Sequence, residues 1–324
     1  MTSNLNIFLT GSSGFMGEHL ISQLLAHGFS VFALTRRNRL STEDKLIYIQ
    51  GDIFELEKHS GRLKDCTYFI NLIGEKRQTA HMQSANVDAL NHMLEVLKLI
   101  PTIKFVQVSS AGIYGIEQHP DLKIDESAVL LPNNVYERTK HQAELELERH
   151  SQAHALKYIV LRPTNVFGEG DSGLKLLNLM KGLKAGKFFY LRDEAMVNYL
   201  YVGAFARDTV SLLGCADFDG EVYNMNSPIS IHSFIRFLCG HLGRSKMPRR
   251  IPFILNPVIW ILAKASDLLP KRLQYFNSGK YRELTSQKYY SVDRITALLQ
   301  TNPEADLNQG IGNLVAYYKR AGLL

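Results

Sequence analysis

The chain has 324 residues, of which 45% are hydrophobic, so it can bury a large core, and we expect two lobes around one cleft. It carries 37 Lys and Arg against 31 Asp and Glu, a net charge of +6, without a nucleic-acid-binding motif. This balance favours anionic small ligands, such as nucleotide phosphates, over DNA or RNA. Three scattered cysteines fit neither a disulfide scaffold nor a metal site, so we expect a reducing compartment and no metal: Cys66, Cys215 and Cys239.

The first residues lack the basic start and apolar stretch of a signal peptide, so we expect a cytoplasmic protein. Short β-branched or aromatic runs then alternate with helix-like stretches. Strands are predicted at 5–10, 30–35, 46–50, 67–73, 103–109 and 157–162, and helices at 15–27, 79–99 and 133–150. The alternation predicts an α/β fold, a Rossmann-type doubly wound parallel sheet, which binds ligands at the carboxyl ends of its strands.

The first strand runs into the glycine-rich segment TGSSGFMG, residues 10–17. Gly11 permits a tight strand-to-helix turn, Gly14 lets the backbone approach a pyrophosphate, and Gly17 lets the helix pack closely on the sheet. This position indicates a dinucleotide site, with an ordinary tight turn as the alternative. The residues between the glycines are included as cofactor contacts: Ser13, Phe15 and Met16.

The second strand ends at two arginines, Arg36 and Arg37, and no acidic residue follows until Glu43. NAD sites usually place an acidic residue here for the ribose 2′-hydroxyl, whereas arginines can bind a 2′-phosphate. We therefore favour NADP(H) over NAD as the cofactor. A solvated basic loop is the alternative.

Of the 15 tyrosines, only Tyr136 is followed four residues later by a lysine, Lys140, in what reads as the start of a helix. The spacing places both on one helix face, where the ammonium and an oxidised nicotinamide ring would lower the pKa of the phenol. Ser110 stands at the carboxyl end of a strand, where its hydroxyl could hydrogen-bond a substrate carbonyl. The alternatives are a solvated helix face and a serine-rich turn.

The second half is predicted to contain strands at 188–191, 197–202 and 221–225, and helices at 172–185, 203–215 and 230–242. From about 251 the tail is mostly helical. Its apolar run 251–263 is interrupted by Asn256 and Pro257 and is shorter than the roughly 20 residues of a spanning helix, so we expect no membrane span. A core or lid helix is the favoured interpretation of 251–269, and an interface or membrane-surface element is the alternative.

Ser110, Tyr136 and Lys140 after a glycine-rich first turn resemble the catalytic triad of the extended short-chain dehydrogenase/reductase family, in particular its NAD-dependent epimerase/dehydratase type. Further family-like pieces follow in order, namely GDI (51–53), NLIG (71–74), NVDAL (86–90), LRPTNVFG (161–168) and VNYLYV (197–202). The resemblance spans nearly the whole chain, which resembles sugar-nucleotide epimerases and reductases.

The resemblance implies additional site residues at matching positions. Cofactor contacts are implied at Asp52, Ile53, Leu72, Ile73, Gly74, Lys76, Asn86 and Pro163. Asn165 matches an asparagine that contacts nucleotide-sugar substrates. For Asn86 and Lys76, a turn or strand-end residue without a functional role is an equal alternative.

Two departures from the family pattern bear on the reaction. Ala111 and Gly112 stand where dehydratases carry Asp and Glu, so sugar 4,6-dehydration is not expected. The stretch 197–204 lacks the arginine and late acids that usually contact the diphosphate, and Arg192 is the candidate substitute.

We predict a dinucleotide-binding domain over 1–165, joined by a returning segment at about 196–228. A smaller, mostly helical substrate lobe is predicted from 166–195 and 229–324. The expected activity is 4-epimerisation or 4-keto reduction of a nucleotide sugar, and a homodimer is considered. The alternatives are an NADPH-dependent reductase of an apolar ketone and a catalytically silent NADP-binding subunit.

Overall fold

The computed structural model describes residues 5–41, 43–117, 119–270 and 276–324. Its first half runs β1 (Asn6–Thr10), α1 (Phe15–Ala26), β2 (Ser30–Thr35), β3 (Leu46–Gln50), α2 (Ser60–Lys64), β4 (Tyr68–Asn71), α3 (Thr79–Gln83), α4 (Ala89–Leu97), β5 (Lys104–Val108), β6 (Lys123–Ile124), α5 (Val135–His154) and β7 (Lys157–Pro163). Two 3₁₀ turns, at Ile53–His59 and Ala111–Tyr114, and a π turn at Ser84–Asp88 lie between these elements.

The second half runs β8 (Asn165–Phe167), α6 (Lys175–Lys184), β9 (Phe189–Tyr190), β10 (Met196–Tyr201), α7 (Val202–Cys215), β11 (Asp219–Met225), β12 (Ser227–Ser230), α8 (Ile231–His241), β13 (Arg249–Arg250), α9 (Asn256–Ser266), α10 (Ser278–Glu283), β14 (Tyr289–Tyr290), α11 (Asp293–Leu299) and α12 (Pro303–Arg320). Among the helices in the described ranges, none combines the length and apolarity needed to cross a bilayer.

Seven strands form one fully parallel sheet in the order β11-β7-β5-β4-β1-β2-β3. The chain builds outward from β1 to β3, then returns to the other side of β1 and continues with β4. The strand order therefore reverses between β1 and β4, and the carboxyl ends of these two strands flank the crevice in which such sheets bind ligands. The predicted doubly wound Rossmann-type fold is confirmed.

Alternating side chains of β1 enter two different cores. Ile7 and Leu9 belong to a cluster that α1 and α7 complete, whereas Phe8 faces a cluster completed by α4 and α5. Because successive strand residues point to opposite faces, one apolar run can serve both layers of helices. The sheet is thus covered on both sides, which leaves its strand ends as the accessible edge.

A third apolar cluster lies outside the sheet and is built mainly by α6, α8 and α12 around the small sheet β12-β10-β8. A charged contact joins it to the sheet layer, since Arg207 of α7 bonds Asp306 of α12 at 2.6 Å. Ile295 of α11 packs into the first cluster, so the tail also contributes to the sheet core. The division of the chain into two domains stays a prediction.

The predicted helix 79–99 is interrupted. The π turn Ser84–Asp88 separates α3 from α4, and it carries Asn86, whose side chain bonds to groups outside the helix. Such turns often mark functional sites. Apolar spacing continues through the turn, so hydrophobic periodicity cannot reveal it.

Candidate active site

The glycine-rich turn follows β1 at the point where the strand order reverses. Gly11 has a φ of +71°, and a Cβ there would lie 2.8 Å from the carbonyl carbon of Leu72. A Cβ on Gly17 would lie 2.4 Å from the Gly11 oxygen. Only glycine fits both positions, because the turn, the first helix and the loop after β4 meet there backbone to backbone.

Helix α1 begins at Phe15 without a capping side chain, and Gly14 is its N-cap residue. Its first-turn N–H groups therefore have no side-chain acceptor, and the helix dipole adds partial positive charge. A dinucleotide pyrophosphate fits both properties.

A cavity of about 670 Å³ opens beside this turn. Its volume lies within the usual range for small-molecule sites. Nine of the residues predicted to contact the cofactor line it: Gly11, Ser13, Gly14, Arg36, Asp52, Ile53, Leu72, Ile73 and Gly74. Sequence reasoning missed other wall residues, which follow NLIG without a recognisable motif: Glu75, Gln78, His81 and Ser84.

The remaining predicted cofactor residues lie off this wall. Met16 packs against the first core cluster, and the ring of Phe15 contacts that of His19 at 5.4 Å. Arg37 and Lys76 are exposed, and Pro163 is buried at the end of β7. The structure thus brings only part of the predicted set together around one cavity.

Arg36 places a positive charge on the cavity wall. Within the described ranges it forms no ion pair, whereas Arg39 is bound to Glu18 at 3.0 Å. Asp52 caps the turn after β3, accepting a hydrogen bond from the Phe54 amide at 3.0 Å. Of the two arginines, Arg36 is the one that lines the cavity.

Lys140 is 4% exposed and lies beside Gly74. Its Nζ donates hydrogen bonds to the carbonyl oxygens of Val108, at 3.0 Å, and Ile73, at 3.3 Å. Burial lowers the pKa of this ammonium to about 8, against the opposing effect of the Glu144 carboxylate. The two carbonyls follow β4 and end β5, so the lysine is held at the ends of adjacent strands.

Ser110 begins the 3₁₀ turn Ala111–Tyr114 near Tyr136, and its Oγ accepts a hydrogen bond from the Gly112 amide at 3.1 Å. Burial raises the pKa of Tyr136, and the interaction of the phenol with the Ser110 side chain opposes this rise. The Lys140 ammonium is bound to two backbone carbonyls, and the lowering of the Tyr136 pKa by this ammonium together with an oxidised nicotinamide ring stays a prediction.

Asn86 links the loop after β4 to the helix that carries Tyr136. Its side chain accepts from the Glu75 amide at 2.9 Å and donates to the Glu75 carbonyl and to Thr139 Oγ1 at 2.9 Å. Thr139 in turn donates to the Tyr136 carbonyl at 3.0 Å. Both amide protons of Asn86 are thus used within the protein, and the residue holds the loop after β4 against the start of α5.

The first turn of α5 is fixed by reciprocal capping. Asn134 accepts a hydrogen bond from the Glu137 amide at 3.0 Å, and the Glu137 carboxylate accepts one from the Asn133 amide at 2.7 Å. This arrangement satisfies amides that would otherwise be unpaired at a helix start. It fixes the direction of the helix that presents Tyr136 and Lys140.

A buried charged network, which the sequence analysis missed, lies beneath the site. Arg162 of β7 pairs with Glu144 of α5 at 2.5 Å and donates to the Tyr114 hydroxyl at 2.6 Å. Tyr114 donates to Asn224 of β11 at 2.9 Å. The network ties α5 and the turn after Ser110 to two sheet strands. A charged residue inside the apolar strand 157–163 is the sequence signal that could have indicated it.

Two of the predicted substrate residues, Asn165 and Arg192, are not among the residues that line the cavity. Asn165 is exposed on β8 and donates to the Asn198 carbonyl at 3.3 Å. Arg192 lies 3.5 Å from the Glu194 carboxylate. In the described part of the chain, no group of three or more His, Cys, Asp or Glu residues is arranged to hold a metal ion.

Comparison with known proteins shows which family the chain is similar to. Residues 7–225 match the NAD dependent epimerase/dehydratase family. The N-acetyl-alpha-D-glucosaminyl-diphospho-ditrans,octacis-undecaprenol 4-epimerase of Escherichia coli O157:H7 is 28% identical, over 62% of this chain and 60% of that protein. The decarboxylating sterol-4-alpha-carboxylate 3-dehydrogenase of Candida albicans is 24% identical, over 94% of this chain and 95% of that protein.

A solved structure agrees over almost the full length. The UDP-glucuronic acid 4-epimerase from Bacillus cereus, in complex with NAD, superimposes with a TM-score of 0.71 over 98% of this chain and 99% of that one. The two sequences are 19% identical, so this likeness is one of fold.

Proposed function

The chain belongs to the NAD-dependent epimerase/dehydratase family, and from this premise we propose that it acts at carbon 4 of a nucleotide-activated sugar, by epimerisation or by reduction of a 4-keto group. The observation that carries the proposal is the position of buried Lys140, on the same helix as Tyr136, beside Gly74 of the cavity at the point where the strand order reverses. The E. coli and B. cereus proteins are named as epimerases of diphosphate-linked sugars, which supports a substrate of this class.

The residues around the cavity fit a dinucleotide. The backbone of Gly11, Gly14 and the start of α1 would hold the pyrophosphate, and Asp52 and Ile53 would border the adenine. When bound, the nicotinamide supplies the hydride acceptor and donor. Arg36 favours NADP(H), because its guanidinium lies on the cavity wall and matches the geometry of a 2′-phosphate.

Tyr136 has the role of moving a proton to or from the reacting sugar oxygen. Its raised pKa keeps the phenol protonated in the protein without ligand, which is the state needed to protonate a substrate carbonyl oxygen. Ser110 orients that oxygen through its hydroxyl group. Lys140, held by two carbonyls, would bind the nicotinamide ribose and place positive charge near the phenol once a ligand is present.

The first experiment identifies the dinucleotide that is released when the purified protein is denatured, and then assays UDP-hexoses and a nucleotide-linked 4-keto sugar. Tightly retained NAD supports epimerisation, which regenerates its cofactor in each cycle. An empty site that binds NADPH supports reduction. A protein that binds neither dinucleotide contradicts the proposal.

The second experiment tests the catalytic assignment with Tyr136→Phe. Loss of a positioned proton donor is expected to lower kcat by about 10²–10⁴-fold while dinucleotide binding is kept. Tyr317→Phe, a partly buried tyrosine of α12, is the matched control and should retain full turnover. Full turnover by Tyr136→Phe with an intact fold would falsify the mechanism.

An apolar ketone is the second candidate substrate. It is favoured by the C. albicans sterol dehydrogenase, which aligns over 94% of this chain. Thermal protection of the protein by UDP-sugars, with none by steroids or flavanones, excludes this candidate, and the opposite pattern excludes the sugar.

A further inference from the structure

An apolar stripe lies on the solvent side of the C-terminal lobe, on α9 and the turns that flank it. Its members recur at helical spacings and range in exposure from 45% at Leu255 to 89% at Leu268. We call it the exposed stripe, and it consists of Ile254, Leu255, Val258, Ile261, Leu262 and Leu268. Monomeric proteins rarely leave a contiguous row of large apolar side chains in water without a binding role.

Helix α9 differs from an ordinary amphipathic helix, which buries its large apolar residues. The residues that it buries are the polar Asn256 and the small Ala263. Its contact with α10 is made by Trp260, whose ring lies 5.1 Å from that of Tyr281. Of its other large apolar residues, Ile259 is half-buried, whereas Val258, Ile261 and Leu262 are exposed, so packing within the lobe does not account for these three.

Positive charge is concentrated around the exposed stripe. Residues 244–288 contain ten Lys and Arg but only two acidic residues, an excess larger than the +6 of the whole chain. Arg249 and Lys264 are exposed within this segment, and the Lys264 ammonium stands 5.1 Å from the Trp260 ring centre. The apolar stripe is therefore flanked along the sequence by basic residues, which we call its basic border.

We propose that the exposed stripe and its basic border form a docking surface for a membrane of anionic phospholipids, with α9 lying in the plane of the interface. The apolar residues would enter the boundary between headgroups and acyl chains, while the cations contact lipid phosphates. The 11 residues of α9 are too few to span a bilayer, so the contact is one of surface. The inference does not depend on the proposed activity.

Charge decides between a membrane and a second copy of the chain. A symmetric dimer through this face would bring the same basic segment of both copies together, and like charges would oppose it. An anionic lipid surface attracts that segment and also accepts the apolar residues. The lipid surface is therefore the occupant that matches both properties.

Trp260 makes the proposal directly testable, because it is the sole tryptophan and lies on α9. The full chain is mixed with vesicles of phosphatidylcholine alone or with 30% phosphatidylglycerol. Binding is measured by co-sedimentation and by Trp260 emission. We expect binding to the anionic vesicles with a blue shift in emission, little binding to the neutral ones, and weakening as salt rises.

The double variant Ile261→Glu/Leu262→Glu is expected to lower partitioning into anionic vesicles by about tenfold or more. Leu99→Glu, in the sheet half and 71% exposed, is the matched control and should bind like the wild type. Lys264→Gln/Arg249→Gln should weaken binding and reduce its salt dependence. The glutamate variants should keep the wild-type melting temperature, because the altered side chains are exposed.

Three outcomes would overturn the proposal. One is equal partitioning into neutral and anionic vesicles, and another is unchanged binding by the Ile261→Glu/Leu262→Glu variant. The third is a wild-type dimer in solution that this variant converts to a monomer, which would assign the stripe to self-association.

Discussion

Helices α4 and α9 are both rich in large apolar residues, yet the fold treats them in opposite ways. α4 buries Leu90, Met93 and Leu97 completely between the sheet and its neighbours. α9 leaves Ile261 and Leu262 more than 60% exposed. The apolar content of a helix therefore shows how much apolar surface it could bury. The surrounding structure decides whether that surface is buried within the chain.

The same contrast extends to the two regions that carry these helices. The sheet half places its special residues, such as Gly17 and Lys140, in tight backbone surroundings where little else fits. The C-terminal lobe contains glycines and lysines in open surroundings, such as Gly182 and Lys264. Substitutions of the same chemical type should therefore have large effects at Gly17 and Lys140 and small effects at Gly182 and Lys264.

The largest expected effect separates the two apolar helices. Leu90→Ala should lower the free energy of unfolding by about 2–5 kcal/mol, because it leaves a cavity in the core. Leu262→Ala should change it by less than about 0.5 kcal/mol, because its side chain is already in water. Urea unfolding measures both values, and equal losses would contradict the contrast between α4 and α9.

Lys140 gives the next effect, which depends on pH. Its folded pKa, about 8, lies below the ordinary lysine value of 10.5, so between these values the unfolded chain binds more protons and stability rises with pH. Relative to Lys140→Met, the wild type should gain about 3 kcal/mol from pH 8 to 10.5. Lys264→Met is the control and should follow the wild-type pH curve. A parallel curve for Lys140→Met would show that the lysine is not buried as described.

Glycine substitutions compare the same two regions. Gly17→Ala should cost about 1–3 kcal/mol and weaken dinucleotide binding, because its Cβ would lie 2.4 Å from the Gly11 oxygen. Gly182→Ala, in α6, meets nothing within 4 Å and should stabilise the protein by about 0.5–1 kcal/mol. Thermal unfolding and NADPH titration measure both effects, and stabilisation by Gly17→Ala would refute the close approach of α1 to the turn.

The smallest effect concerns cofactor choice. Arg36→Ala should raise the Kd of NADPH about tenfold, since one charge-assisted hydrogen bond is lost, and leave the Kd of NADH unchanged. Arg249→Ala, an exposed arginine of the lobe, should alter neither. Nicotinamide fluorescence titration gives the Kd of NADPH and of NADH for each variant and for the wild type. An equal loss for both cofactors would remove the preference for NADP(H).

Local patterns were sufficient for much of the sheet half. The strands were predicted from short apolar runs, because a parallel strand covered on both faces must be apolar throughout. The glycine turn was recognisable because three regularly spaced glycines stand between an apolar strand and a helix. The interruption at Asn86 was missed, since a π turn preserves apolar spacing on both sides, and so was the Arg162–Glu144 pair, whose members are 18 residues apart.

The sequence by itself determined the family and the parallel sheet, because short motifs in a fixed order identify the first and apolar runs along the chain identify the second. Only the tertiary structure decided that Lys140 is held by the carbonyls of Val108 and Ile73, and that burial raises the pKa of Tyr136. It also decided that the apolar run around α9 faces water. Burial and hydrogen bonding depend on groups brought together from distant parts of the chain, and no local pattern contains that information.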